Sequence, residues 1–508
     1  MNNLEKLVEE KLNRLKAGLK DVTNLQNASA LLGWDQQTYM PPGGAAARAE
    51  QTATLDRLAH ELFTTDEIGA LLAELSSAGF DYDSDDAALL RVARREYNKA
   101  RKLPPPLVEE MSRTFSLAHQ NWQQARAEKD FSRFQDILSK IVDLNIQVAE
   151  AYGYDENIYD ALLDQFEPEM KTAEVDAVFA ELKAGLVPLV RAIVANRGAV
   201  DDSPLKQDFD EAAQWDFGLI PLQAIGFDSE RGRQDKSAHP FTISFSVNDV
   251  RITTRVQKNS FPSSLMSTLH EAGHAIYEQG SHPALDGTLL AGGTSLGVHE
   301  SQSRLWENVL GRSRPFWQFY YPQLQAFFPR QLGAVSLEQF YRAINKVEPS
   351  LIRVEADEVT YNLHIFLRFE LEQDLLTGRL AVADLPAAWN AKMEAYLGLT
   401  PPDDGVGVLQ DVHWSGGSMG YFPTYTLGNV LSLQFYSQTL ADIPDLPEQY
   451  ARGEFGALHA WFAEKIHRHG RKYTTTELIR RVTGDDGIKA GPYLAYIKQK
   501  YSEIYGLE

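Results

Sequence analysis

Apolar residues recur every three or four positions along most of this 508-residue chain, a spacing typical of amphipathic helices. Two clear cases run over residues 134–153 and 175–198, and each ends at a glycine, a common helix stop. The breaks between such segments are short, and none resembles a flexible interdomain linker. The chain is therefore predicted to be mainly α, and its length allows either one large enzyme with lobes or two to four domains.

One segment, residues 241–256, departs from this pattern because apolar and polar residues alternate along it. Four apolar residues share one face, Phe241, Ile243, Phe245 and Val247. Asn248 and Asp249 can make a turn, so the segment predicts a β-hairpin. Two interpretations remain open at this point. The strand could pair with the backbone of a peptide substrate, or the small sheet could simply cover the core.

The net charge of −21 disfavours binding to nucleic acid or to anionic membranes. The first 20 residues mix charges with apolar residues and contain no signal-peptide core, and no apolar run approaches the roughly 20 residues of a membrane span. A soluble cytoplasmic protein is the expectation. The chain also contains no cysteine, so any metal ligands must be His, Asp or Glu.

The segment 265–280 contains His-Glu-x-x-His, a pattern typical of zinc sites carried on a helix. Pro262 suits the first turn of that helix and Gly280 suits its end. His270 and His274 are one turn apart, so they point the same way and could hold one metal ion, while Glu271 could act as a general base. The alternative is a pair of hydrogen-bonded histidines on an ordinary helix.

A catalytic zinc needs a third protein ligand. Glu300 lies on the next predicted helix, 26 residues after His274, and is a candidate. Glu307 is also available on that helix, and His299 could compete for the ion. Spacing alone favours Glu300 only modestly.

Further motifs extend the pattern over nearly the whole chain. They are HPF at 239–241, DVRIT at 249–253, HESQ at 299–302, IRVEAD at 352–357, GVLQDVHW at 407–414 and the block at 31–51. With these motifs in this order, the chain resembles the Taq-type (thermostable carboxypeptidase 1) zinc metallocarboxypeptidases, which are nearly all-helical exopeptidases. The resemblance implies that the metal ligands are His270, His274 and Glu300, that Glu271 is the base, and that Glu300 rather than Glu307 is the third ligand.

The resemblance also implies a large zincin-like helical fold with a deep groove and a small β-hairpin or sheet beside the active site. Residues 1–508 would form a single catalytic domain, with an N-terminal helical cap over roughly 1–200 and an active-site region over roughly 235–430. It implies one zinc ion per chain (cobalt being possible), peptide substrates, broad specificity with poor cleavage at proline, and a homodimer.

Several residues are assigned to the substrate. Arg353 is expected to bind the terminal carboxylate, because the planar guanidinium suits a carboxylate and the resemblance favours this role over a salt bridge. Arg251 is expected to shape or close the cleft, and His239 to line it. Gln410, in the motif at 407–414, is placed with the substrate-binding residues. A histidine at 364 is interpreted as structural.

A tetrahedral intermediate requires donors for its developing negative charge. His413 and Tyr421 have a spacing similar to the His and Tyr donors of related helical zinc peptidases, and Tyr425 is the alternative tyrosine. An acidic residue is expected to support a ligand histidine, but Arg304 stands where thermolysin-like relatives have one, which leaves Asp357 and Asp411 as candidates.

Two other functions fit parts of the sequence. A helical zinc oligopeptidase, cutting internally or releasing dipeptides, would share the metal site and the oxyanion donors but would not need a carboxylate-binding arginine. A non-catalytic peptide- or metal-binding protein would not need Glu271, so the presence of this residue favours an enzyme.

Overall fold

The structure is a computed structural model that describes residues 3–507, and most of this chain is helical. The helices of the first half are α1 (Asn3–Thr38), α2 (Ala45–Phe63), α3 (Asp66–Leu75), α4 (Asp85–Lys102), α5 (Pro105–Glu128), α6 (Ser132–Tyr152), α7 (Ile158–Leu163), α8 (Thr172–Ala195), α9 (Glu211–Ala224) and α10 (Phe261–Gln279). The helices of the second half are α11 (Leu296–Arg304), α12 (Arg314–Phe327), α13 (Pro329–Leu332), α14 (Leu337–Ile344), α15 (Tyr361–Leu376), α16 (Leu385–Leu397), α17 (Pro423–Asp442), α18 (Leu446–Tyr450), α19 (Gly456–Lys465), α20 (Thr475–Thr483) and α21 (Gly491–Tyr505).

Short 3₁₀ turns connect several of these helices, at Pro42–Gly44, Arg197–Ala199, Ser203–Leu205, Pro283–Leu285, Arg353–Glu355, Val382–Asp384, His413–Gly416 and His467–His469. A π-helix, Leu305–Leu310, follows α11 directly. The mainly α prediction is confirmed. The predicted helices at 134–153 and 175–198 correspond to α6 and α8, and α6 ends at Gly153, whose φ of 80° suits glycine.

The helix that carries His-Glu-x-x-His also forms where it was predicted. Proline stands in the first turn of α10, where a missing N–H costs no helical hydrogen bond. At the other end, the N–H of Gly280 still donates to the carbonyl of Ile276, and the helix stops there. Leu265, Leu269 and Ile276 are buried on one side of α10, so the helix is anchored in the core.

Three strands form the one sheet of the described residues, β1 (Gly232–Lys236), β2 (Thr242–Ser246) and β3 (Asp249–Thr254), in the order β1-β3-β2. The predicted hairpin is confirmed as the antiparallel pair β2–β3. Its turn, however, was predicted one residue too late. Ser246 pairs with Asp249, so Val247 and Asn248 make the turn, and the carboxylate of Asp286 holds it by accepting the N–H of Val247.

Two hydrophobic clusters organise the helices. The larger includes residues from α5 to α21, among them Phe179, Leu269 and Trp317, and it surrounds the His-Glu-x-x-His helix. The smaller joins α1, α3 and α4 to Leu285 and Leu290. The helices of residues 1–200 are thus divided between the two clusters, and the proposed division into a cap and an active-site region stays a prediction. Within residues 3–507, no helix is both long enough and apolar enough to cross a membrane.

Candidate active site

The two histidines of α10 and Glu300 of α11 meet in the interior. One ligand atom from each of His270, His274 and Glu300 lies within 4.8 Å of the others. Oε2 of Glu300 is 3.6 Å from Nε2 of His270 and 3.4 Å from Nε2 of His274. The predicted third ligand therefore stands where it could share an ion with both histidines.

Two glycines permit this close packing. A Cβ on Gly273 would lie 2.5 Å from the carbonyl oxygen of Gln302, so only glycine lets α11 approach α10 at this point. On the other side of α11, a Cβ on Gly428 of α17 would lie 2.5 Å from Cβ of Glu300. Glu300 is thereby held between two helices, and its carboxylate has little freedom to move.

The carboxylate behind His270 belongs to Glu307. Nδ1 of His270 is 2.9 Å from Oε2 of Glu307, which lies on the π-helix that follows α11. Arg304 donates to both acids, to Glu300 at 2.7 Å and to Glu307 at 3.0 Å. The acid that the sequence lacks at position 304 is thus supplied three residues later. Helices of this widened type occur frequently at functional sites.

Asp357 and Asp411 were candidates for this supporting role, and the structure places both elsewhere. Asp357 accepts the N–H groups of Val359 and Thr360, and Asp411 binds two arginines. Neither of them supports a ligand histidine. The reason is that both are occupied by polar groups of their own neighbourhood.

A second imidazole supports His274. Nδ1 of His274 is 2.7 Å from Nδ1 of His299, and Nε2 of His299 is 2.7 Å from Oε1 of Glu278. Because a carboxylate only accepts, Nε2 of His299 donates to Glu278, and its Nδ1 is then free to accept from His274. His299 is accordingly engaged as a supporting group, and it does not compete with Glu300 as a ligand.

These contacts fit a divalent metal ion. With Nδ1 of each histidine donating to its partner, the Nε2 lone pairs of His270 and His274 are left for the ion, together with one oxygen of Glu300. Two imidazoles and one carboxylate are a ligand set of catalytic zinc sites. Burial opposes a positive charge on His270, yet the carboxylates of Glu300 and Glu307 outweigh it and raise its pKa to about 9. Burial instead lowers the pKa of His274 to about 4, so this imidazole is neutral near pH 7.

Glu271 lies between the two histidines and is only 7% exposed. The hydroxyl of Thr242 on β2 lies 2.6 Å from Oε2 of Glu271 and 3.0 Å from its main-chain carbonyl. Burial raises the pKa of the Glu271 carboxyl above its ordinary value. A buried carboxylate one residue from a metal ligand is suited to accept a proton.

The predicted oxyanion donors lie together at the start of α17. The ring of His413 is 5.4 Å from that of Tyr421, and its Nε2 is 3.3 Å from the hydroxyl of Tyr425. Burial lowers the pKa of His413 to about 4, so the ring is neutral near pH 7. The α17 helix also packs on Glu300 through Gly428, and burial together with the negative charge of Glu300 raises the pKa of Tyr421 and of Tyr425. The two tyrosines therefore lie near the candidate metal ligands.

Comparison with known proteins agrees with this geometry. Residues 14–501 match the model of the carboxypeptidase Taq (M32) metallopeptidase family. The chain belongs to that family. It is 43% identical over 501 residues to thermostable carboxypeptidase 1 of Thermus thermophilus and 39% identical over 487 residues to carboxypeptidase 1 of Bacillus subtilis, and each alignment covers 96% of this chain and 97% of the relative.

Solved structures agree as well. The M32 carboxypeptidase from Deinococcus radiodurans R1 superposes with a TM-score of 0.95 at 44% identity, covering 98% of this chain and all of that one. Metallocarboxypeptidase 1 of Trypanosoma cruzi gives 0.93 at 34% identity, covering 97% and 99%. The protein is a metallocarboxypeptidase, and the family and fold predicted from the sequence motifs are confirmed.

In this M32 enzyme, Arg353 is less accessible than the sequence suggested. Its side chain is buried, its Nε and Nη2 donate to Oδ1 of Asp411 at 3.0 and 2.8 Å, and its Nη1 donates to the hydroxyl of Tyr361 at 2.7 Å. Arg368 binds the other oxygen of Asp411. The guanidinium lies 4.9 Å from the ring centroid of Tyr425, so it borders the alternative tyrosine of the predicted oxyanion donors.

Gln410 is also buried. Its side-chain oxygen accepts the N–H of Arg353 at 2.9 Å, and its amide nitrogen, which has two protons, donates to the carbonyl of Leu351 and lies within 3.2 Å of the carbonyls of Val406 and Gly407. These contacts join the loop that precedes His413 to the segment that carries Arg353. In this arrangement Gln410 positions Arg353 through the main chain.

His239 and Arg251 lie on the sheet side of the site. His239 is exposed just before β2, and a positive charge on it would favour ionised Glu271 and disfavour protonated His413. Arg251 pairs with Asp249 and stacks on Trp34 of α1, 4.3 Å from the ring centroid. Arg251 therefore joins the sheet to the first helix, and its assignment to shaping the cleft stays a prediction.

Several residues of the site were not assigned a role from the sequence. Thr242 lies beside Glu271, and Glu278 accepts from His299. Glu372 accepts the indole N–H of Trp414 and the N–H of Gly420. Arg368 donates to Asp411. Thr242 could have been found, because it follows HPF directly and lies on the polar face of the alternating segment. His364 is buried in α15, in agreement with a structural role.

Proposed function

We propose that the protein is a zinc-dependent carboxypeptidase that releases single amino acids from the free C-terminus of peptides. The observation that carries the proposal is the position of Glu271 beside two histidines whose Nε2 atoms face one oxygen of Glu300. His270 and His274 would hold the ion through Nε2, and Glu300 through its carboxylate. Cobalt is the alternative metal, because the same three ligands suit both ions.

When bound, a divalent ion in such a site acidifies a water molecule and polarises the peptide carbonyl. Glu271 accepts the proton of the attacking water and passes it to the leaving amine. His413 and Tyr421 donate to the carbonyl oxygen as negative charge develops there. Tyr425, whose hydroxyl is 3.3 Å from His413, is the alternative donor.

Arg353 is proposed to bind the terminal carboxylate. A guanidinium has five N–H donors, and the contacts with Asp411 and Tyr361 use three of them. One N–H on Nη1 and one on Nη2 are left, and both belong to the end of the fork that suits a carboxylate. Asp411 would hold the fork in place. Arg251 and His239 are proposed to line the cleft, and Gln410 to position Arg353.

The resemblance to the Taq-type enzymes supports further proposals about the whole protein. We infer broad side-chain tolerance with poor cleavage at proline, a homodimer, a cytoplasmic location and one catalytic domain over residues 1–508. The strongly negative charge supports the expectation that neither nucleic acid nor an anionic membrane is a partner. The smaller hydrophobic cluster of α1, α3 and α4 supports a capping role for those helices.

The test uses metal-loaded enzyme and one N-blocked peptide, prepared with a free or an amidated C-terminus. We expect release of the last amino acid from the free form and a large loss of activity on the amide. Equal cleavage of both would favour the alternative, a helical zinc oligopeptidase that cuts internally or releases dipeptides. Elemental analysis of protein purified without added metal distinguishes zinc from cobalt.

A further inference from the structure

We propose that Thr242 is a positioning residue that sets the orientation of the Glu271 carboxylate, which makes strand β2 part of the catalytic apparatus. This inference rests on the proposed role of Glu271 as the base. It also addresses the two interpretations of the hairpin, because it gives the sheet a task directed at the metal-binding helix, separate from substrate pairing and from covering the core.

The contact between Thr242 and the Glu271 carboxylate is short and involves only one of the two carboxylate oxygens. The hydroxyl of Thr242 donates to Oε2 of Glu271 at 2.6 Å, a typical distance for a hydroxyl bound to a carboxylate. Among the described residues, no side chain or N–H group donates to the other oxygen, Oε1. One oxygen of the base is thus held, and the second is left to receive a proton.

The same hydroxyl also lies 3.0 Å from the main-chain carbonyl of Glu271. A hydroxyl has one proton, so the shorter contact to the carboxylate takes most of it. Both acceptors belong to the same residue, and they locate Oγ1 of Thr242 against one side of Glu271. The side chain of the base therefore has a neighbour that limits its rotation.

The position of Thr242 is itself rigid. Phe241, the preceding residue, is bound twice by Thr253 of β3, because its N–H donates to the Thr253 hydroxyl and its carbonyl accepts the Thr253 N–H, both at 2.9 Å. Thr242 pairs with Ile252, whose side chain is buried. Threonine is also branched at Cβ, which restricts its χ1 angle. The hydroxyl is therefore presented to Glu271 by a fixed support.

A fixed support matters because proton transfer depends on geometry. A misplacement of about 1 Å at a catalytic group can cost about a hundredfold in rate. Without the hydroxyl, the Glu271 carboxylate can rotate about its terminal torsion, and Oε1 spends less time facing the water. The loss falls on the chemical step, so kcat decreases while KM changes little.

The experiment compares Thr242→Val, which keeps the shape and removes the hydroxyl, with Thr242→Ser, which keeps the hydroxyl. We expect Thr242→Val to lower kcat by about 10- to 100-fold, with KM within about twofold, and Thr242→Ser to stay within about threefold of the parent enzyme. Metal content is measured in each variant and is expected to stay at the parent value. Thr242→Ala provides a second hydroxyl-free variant if the valine variant does not fold.

The matched control is Thr439→Val, which removes a buried hydroxyl that donates to the main chain of α17 at Phe435. Glu271→Gln is measured beside all variants. The proposal is overturned if Thr242→Val keeps its kcat while Glu271→Gln loses activity, if the serine variant is as impaired as the valine variant, or if the loss lies in KM. Full activity of Glu271→Gln would instead show that Glu271 is not the base, and Thr242 would then have no base to position.

Discussion

Glu307 places a carboxylate oxygen 2.9 Å from Nδ1 of His270, seven residues after the proposed metal ligand Glu300 on the same helical stretch. One stretch of chain therefore carries both a proposed ligand and the support of another. Arg304 donates to both acids and offsets the repulsion between their charges. The metal site is thus set mainly by the packing of α10 on this stretch.

Replacing Glu307 with glutamine should weaken metal binding. The amide supplies no charge to hold the Nδ1–H of His270, and losses of about 10- to 100-fold in metal affinity are typical for such supporting groups. Competition with a chromophoric chelator measures the affinity. Glu448→Gln, on the exposed side of α18, is the control and should bind the metal like the parent enzyme. If Glu307→Gln binds the metal as tightly as the parent enzyme, Glu307 does not support His270 as a ligand.

Gly273→Ala should disrupt the site although alanine is the better helix former. Its Cβ would meet the backbone of Gln302 and Ser303 at 2.5–2.6 Å, so α11 must move away and take Glu300 with it. We expect weaker metal binding and a lower melting temperature. Gly33→Ala on α1 has no atom within 4 Å of the added Cβ and should stabilise by up to about 1 kcal/mol. Equal behaviour of the two variants would contradict the packing argument.

Arg353→Ala should affect peptides with a free terminus far more than other substrates. It also leaves Asp411 with one arginine instead of two, and breaking a buried ion pair costs about 3–5 kcal/mol, so folding must be checked by circular dichroism. Arg353→Lys keeps the charge without the fork and is the matched variant. If the residual activity of Arg353→Lys is equally reduced on free and amidated peptides, the residue is structural.

The protonation state of His413 should affect how the stability of the protein depends on pH. Its pKa is about 4 in the folded protein because burial disfavours the charge, against an ordinary value of 6.5. Between these two pKa values, His413 is protonated in the unfolded chain but not in the folded protein. The free energy of unfolding therefore decreases as the pH is lowered from 6.5 to 4, by about 3 kcal/mol from this one group. The melting temperature of His413→Gln should decline less over that window. Parallel curves would show that His413 does not titrate in this way.

The local features of the site were predictable from the sequence. The bounds of α10, the hairpin and the pairing of His270 with His274 follow from periodicity and from one short motif, because each depends on neighbouring residues. Glu300 was chosen over Glu307 through the family resemblance, and the structure does bring it to the two histidines. The remaining features depend on contacts between distant parts of the chain. Glu307 reaches His270 across 37 positions by way of a π-helix, and Asp411 accepts two of the N–H groups of Arg353 across 58.

The charge pattern alone could not rank these partners. From the sequence, Asp357 and Asp411 were the candidates for the support of a ligand histidine, and Glu307 was considered only as an alternative ligand, although the structure gives the supporting position to Glu307. The three carboxylates have different partners because each is largely buried, and a buried carboxylate forms hydrogen bonds with the donors nearest to it. Arg353 illustrates the same limit, because an arginine in a motif is recognisable while the share of its donors left for a substrate is not.

The central claim is that Glu271 acts as the base beside an ion held by His270, His274 and Glu300. The most direct test measures metal content and amino-acid release from a free-terminus peptide for the parent enzyme and Glu271→Gln. We predict an unchanged ion content of one per chain and a fall in kcat of about 10²- to 10⁴-fold. A Glu271→Gln enzyme that binds the ion and releases amino acids at the parent rate would contradict the account.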